Sequence, residues 1–147
     1  MNIKEVIVLD RYIGYKIISD EDNKSAVKQI LDVIISYFKV NKAFTLNKVI
    51  LFGSRSRKDY RWDSDFDIVV IVDENISVEE KYIIQDEILD KISKNRYKGE
   101  ILDVELIVSG LKNFAEATNY FGHILRYAHK EGIVLYGKVL QSGKKVA

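Results

Sequence analysis

The chain has 147 residues, 47% hydrophobic and 31% charged, which predicts one domain with a real core and leaves too little for two comfortable ones. Its 23 Lys and Arg against 22 Asp and Glu leave a formal net charge of +1, so general nucleic-acid binding is not expected and any phosphate affinity must be local. With no Cys there are no disulfides or thiolate metal sites, and no apolar stretch suits a signal peptide or membrane span, so a cytoplasmic protein is expected.

Residues 4–19 cluster β-branched and aromatic side chains around Asp10 and Arg11 and predict a strand or short hairpin. Asp22, Asn23 and Ser25 then offer N-caps for a helix over 25–40, with Val27, Ile30, Leu31, Ile34 and Phe38 as its buried stripe. After a short connection comes the stretch 49–72, VILFGSRSRKDYRWDSDFDIVVIV. Its two apolar runs have the length and β-branching of buried strands, and a polar segment joins them. Ser77 and Glu80 form a capping box for a helix to about Asn95, with Ile84, Ile88, Leu89 and Ile92 inward. A turn containing Gly99 leads to a strand over 101–108 that carries Asp103 and Glu105. A last helix is predicted over 111–130, with Phe121, Ile124, Leu125 and Ala128 inward and Gly132 at C′. A short strand, 133–136, and a solvated tail, 138–147, close the chain. The pattern implies an α/β or α+β domain whose mixed sheet is covered by helices.

The chemistry concentrates between the two central strands. On a strand, Asp65 and Asp67 project from one face with roughly 6–7 Å between their Cα atoms. Paired carboxylates repel unless a cation offsets them, and a hard ion such as Mg²⁺ suits oxygen ligands. Gly53 lets a backbone approach a phosphate, and Ser54 adds a hydroxyl. Arg55 or Arg57 can meet phosphate oxygens bidentately, whereas Lys58 and Arg61 read equally as solvated. Trp62 is expected to be partly buried under the loop rather than stacked on a base. If the 101–108 strand lies beside the Asp65–Asp67 strand, Asp103 and Glu105 point at the same metals. His129, with Lys130, is expected to complement a helix C-terminus, and neither it nor His123 is expected to be catalytic. Gly-Ser alone is usually a turn and an isolated pair of acids usually a solvated strand end, so only their joint spacing points to function.

Gly53 and Ser54, ten residues, then Asp65, Phe66 and Asp67 resemble the GSx10DxD signature of minimal nucleotidyltransferases, in the polymerase-beta-like superfamily. The resemblance covers about residues 25–137 and includes the closing run EGIVLYG. It implies that fold, with Asp65, Asp67 and a third carboxylate holding two Mg²⁺ ions. Glu105 fits the third position better than Asp103. It further implies that Ser54 and the backbone near Gly53 bind the triphosphate, and that a nucleoside monophosphate, with ATP the expected donor, passes to a hydroxyl outside the chain. Such transferases are commonly encoded with a helical HEPN-type toxin, which they adenylylate as its antitoxin. Two other readings stand beside this: a binding module that sequesters a partner without catalysis, and a transferase acting on a small molecule. Oligomeric state is open.

Overall fold

The computed structural model describes residues 7–12, 18, 20–57 and 59–140, without side chains at 7–12 and 138–140. Five strands form one sheet in the order β1 (Ile7–Tyr12), β5 (Ile133–Leu140), β2 (Leu46–Phe52), β3 (Phe66–Val72), β4 (Val104–Gly110). All neighbours are antiparallel except β3 and β4, which run parallel and need the crossover that α2 (Val78–Lys94) supplies. So the residues expected to form a strand or hairpin yield one edge strand on β5, while 4–6, 13–17 and 19 lie outside the described residues.

The sheet is covered on both sides, which explains why β2 and β3 read as continuous apolar runs rather than alternating ones. Val49, Leu51, Ile68, Val70 and Val72 pack with α1 (Glu21–Val40) and α2. Ile50, Phe52, Val69 and Ile71 pack with α3 (Leu111–Ala117) and α4 (Ile124–Glu131). The expected stripe of α1 is buried, as are Ile84, Ile88 and Ile92 of α2 with Leu89 partly so, and Ser77 and Glu80 form the capping box.

Four expectations need correction. Helix α1 begins earlier: Asp20, in extended conformation, is its N-cap and accepts from Asn23 N at 2.8 Å, so Asp22, Asn23 and Ser25 lie inside the helix. The predicted last helix is two, because Thr118, Asn119 and Tyr120 close tight turns and Gly122 takes φ +77°. Phe121 is therefore 90% exposed and Ile124 half-exposed, while Leu125 and Ala128 are buried as expected. Gly132 is the α4 C-cap at φ −78°, not a left-handed C′ residue. Glycine is needed there for room, since a Cβ would strike Ala128 O and Ile50 Cγ2. The tail begins later, since β5 continues to Leu140, and residues 141–147 lie outside the description. Among the described residues no helix is long and apolar enough to cross a membrane.

Candidate active site

Strand β2 ends at Phe52, directly across from Asp67 on β3, so the antiparallel pairing brings Gly53 back against the first turn of the acidic strand. Gly53 has φ +72° and ψ −161°, a combination that essentially only glycine adopts. A Cβ on it would also collide with the Asp67 carboxylate, whose Cγ would lie at 3.1 Å. Those two facts tie the two halves of the sequence signature to each other physically. A single helical turn, Ser54–Ser56, follows, with Ser56 Oγ donating to Gly53 O at 2.7 Å and Arg57 N to Ser54 O at 3.0 Å.

Asp67 has the same strand parity as Val69 and Ile71 and so belongs to the face covered by α3 and α4. Its parallel partner is Glu105, one strand over. Asp65 lies one residue before β3 and Asp103 one before β4, so neither of them is a strand residue. The loops still meet: Phe66 N donates to Asp103 O at 2.9 Å.

Burial pushes the Asp67 carboxyl above its ordinary value, with Glu105 and Asp65 adding to the rise and Arg57 opposing it. Asp103 is raised by a hydrogen bond to Asp65, then by burial and by the charges of Asp65 and Glu105. Four acids crowding one end of two strands is an arrangement that a divalent cation would relieve. Among the described residues no three acids or histidines are already closed into a metal-holding group. The donor set is nevertheless all carboxylate oxygen, which fits Mg²⁺.

The loop cations have different surroundings. The Arg55 guanidinium is buried: Nε donates to Ser64 O and Nη2 to Trp62 O, both at 3.1 Å, Nη1 reaches Asn23 Oδ1 at 3.4 Å, and the Tyr60 and Phe66 rings lie within 4.7 Å of its centre. Asn23 Nδ2 in turn donates to Arg55 O at 3.1 Å. Arg57 is exposed instead, pairing with Asp59 at 3.1 Å and approaching Glu131 of α4 at 4.0 Å. Trp62, expected under the loop, is 87% exposed, because Arg55 takes its carbonyl while the turn closed by Ser64 holds the ring outward. His123 caps α4 through Nδ1, and His129 lies edge-on to Phe114. Sequence pattern missed Asn23 as a site support, since its partner is 32 residues away.

Residues 32–144 match the family described as Polymerase beta, Nucleotidyltransferase. The chain belongs to that family of nucleotidyltransferases. A curated relative in Methanocaldococcus jannaschii, provisionally named a protein adenylyltransferase, is 28% identical to this nucleotidyltransferase over 115 residues, 78% of this chain and 99% of the relative. Among solved structures, a provisionally named nucleotidyltransferase of Sulfolobus solfataricus is 21% identical, with a TM-score of 0.47 over 75% of this chain and 76% of the other. A toxin–antitoxin complex with AMP-PNP is 20% identical, with a TM-score of 0.46 over 72% of each chain. An AMPylated Shewanella oneidensis HEPN toxin in complex with MNT antitoxin is 15% identical, with a TM-score of 0.45 over 78% of this chain and 72% of the other. Likenesses this loose say nothing of what the present chain binds.

Proposed function

We propose that this nucleotidyltransferase transfers AMP from ATP to a hydroxyl on a partner protein, acting in the cytoplasm as the antitoxin of a HEPN-type toxin. The observation that carries the reading is the contact of Gly53 with Asp67, which joins a phosphate-type turn to a cluster of four acids. The name of the M. jannaschii relative and the GSx10DxD resemblance supply the donor, the acceptor class and the partner.

Asp65, Asp67 and Glu105 would hold two Mg²⁺ ions, which when bound offset the charge of the triphosphate. The Ser54 hydroxyl and the N–H groups following Gly53 donate to phosphate oxygens, and Arg57 brings a guanidinium to the same side. Arg55 serves the site by fixing the loop from beneath, with three donors already taken by the protein. The acceptor oxygen attacks the α-phosphorus, the bond to the β-phosphate breaks, and pyrophosphate leaves. Glu105, or Asp103 beside it, takes the hydroxyl proton. Catalysis on this scheme is positioning plus electrostatics.

The test is transfer of label from α-labelled ATP to a HEPN-type toxin, with Mg²⁺ and with EDTA. Label should appear only with Mg²⁺ and vanish in Asp65→Asn with Asp67→Asn. A double variant that still neutralises the toxin as well as wild type would sink catalysis in favour of sequestration, and label on a small alcohol or amine alone would redirect the acceptor.

A further inference from the structure

The break between α3 and α4 has an effect the catalytic reading does not use. It turns outward Phe121 and Ile124, which helical spacing had assigned to the core, beside two further exposed aromatics: Phe121 is 90% exposed, Ile124 49%, Tyr120 65% and Tyr127 58%. Ile124, Tyr127 and Glu131 follow i, i+3, i+7 and so form one exposed stripe along α4, next to the buried side of Leu125 and Ala128, while Phe121 lies in the turn that leads into the helix. The stripe ends at the site, where Glu131 approaches Arg57 at 4.0 Å and Arg57 acts on Asp67.

The exposed ring is also held in place. Arg126 stacks on Phe121 at 4.5 Å and is itself fixed by donation from Nη1 to Thr118 O. An aromatic held rigid in solvent has already lost the freedom that binding would cost, and aromatic and Arg side chains dominate binding hot spots. With Glu131 turned to Arg57, Arg126 and Lys130 have no carboxylate partner among the described residues, so the rim is basic.

We infer that this stripe is the docking surface for the protein that carries the acceptor hydroxyl, and that the partner presents it with an apolar face rimmed by acids. The inference rests on the proposed transfer to a protein. A partner at Asp67 reaches the stripe: a specific interface covers about 800 Å² per partner, roughly 30 Å across. Helix α4 spans only about 12 Å, so a partner seated over Asp67 covers it. The opposite flank, a cleft of about 710 Å³ beside Asp103 with Trp62 at its edge, is lined by Asp20, Asp22, Asp63 and Glu100 and suits a basic segment instead.

The experiment compares wild type, Phe121→Ser, the triple variant Phe121→Ser, Ile124→Ser, Tyr127→Ser, and Trp62→Ser. Each is assayed for thermal stabilisation by Mg-ATP, for the dissociation constant of the HEPN-type protein, and for self-association. Stabilisation by Mg-ATP should be unchanged in all four, and partner affinity should fall at least tenfold in the triple variant and severalfold in Phe121→Ser, whose ring is too exposed for its loss to unfold the chain. Unchanged partner affinity, loss at Trp62→Ser alone, or dissociation of a homodimer by the triple variant overturns the docking surface and leaves the transfer reading standing. A wild type that neither responds to Mg-ATP nor modifies the protein overturns both.

Discussion

Replacing Gly53 with alanine separates what the fold needs at this position from what the site needs. The φ and ψ of Gly53 lie in a region that costs a non-glycine residue about 1–3 kcal/mol. At an unfolding entropy of about 2.1 cal/mol/K per residue over this length, each kcal/mol lowers Tm by about 3 °C, so a fall of about 3–9 °C is expected. The added methyl also drives into Asp67, with Cγ at 3.1 Å and Cβ at 3.4 Å. A carboxylate swings aside more easily than a strand moves, so this part of the damage falls on the position of Asp67 rather than on stability. Wild type at a hundredfold excess of Mg-ATP over Kd should gain about 2.7 kcal/mol, or about 9 °C. If displacing Asp67 weakens binding a hundredfold, the gain shrinks to about 0.4 kcal/mol, little more than 1 °C. Differential scanning fluorimetry on both proteins, with and without Mg-ATP, reads both numbers. If Gly53→Ala loses the expected stability yet keeps most of the 9 °C response, the contact with Asp67 does not organise the site.

Asn23→Ala removes both bonds between α1 and Arg55 and should cost about 1–3 kcal/mol in urea unfolding, with weaker Mg-ATP stabilisation because the loop loses its anchor; full retention of that response would show the anchor to be dispensable. Gly132→Ala meets Ala128 O and Leu51 O, both backbone atoms that cannot rotate away, and at φ −78° it adds no strain of its own; overpacking of about 1–3 kcal/mol should appear in the same assay. The pH dependence has a definite sign: Asp67 and Asp103 are raised in the fold, so the metal-free fold binds protons more tightly than the unfolded chain, and their contribution is present at low pH and lost as pH rises through the raised values. Melts in EDTA should therefore show wild type losing stability relative to Asp67→Asn as pH rises from the ordinary aspartate value of 3.8 through the raised values, with Mg²⁺ narrowing the gap; a gap that widens as pH falls refutes it.

What could be read in the sequence was whatever depends on near neighbours. The apolar runs of β2 and β3, the stripes of α1 and α2 and the Ser77–Glu80 capping box were legible because spacing alone determines them. The Gly53–Asp67 signature was legible because two strands joined by a loop must bring its ends together. Arg55 looked like a phosphate ligand because a loop cation beside Gly-Ser gives no sign of Asn23, Trp62 O and Ser64 O waiting to receive it. Periodicity carried one helix through Thr118 to His123 because it weighs apolar spacing and not the turn that Gly122 permits. Asp20 was passed over as a cap for the same kind of reason, since three later polar residues, Asp22, Asn23 and Ser25, compete for the role on paper.

The parallel alignment of β3 and β4 puts Glu105 beside Asp67 and Leu106 beside Ile68. A slip of β4 by a single residue would exchange them, turning a carboxylate side chain into the layer between sheet and α1/α2 and taking out of that layer a leucine that is now buried. The acid that serves the site thereby also guards against a one-residue slip: the alignment that keeps this carboxylate out of the core and buries Leu106 is the one that sets Glu105 facing Asp67.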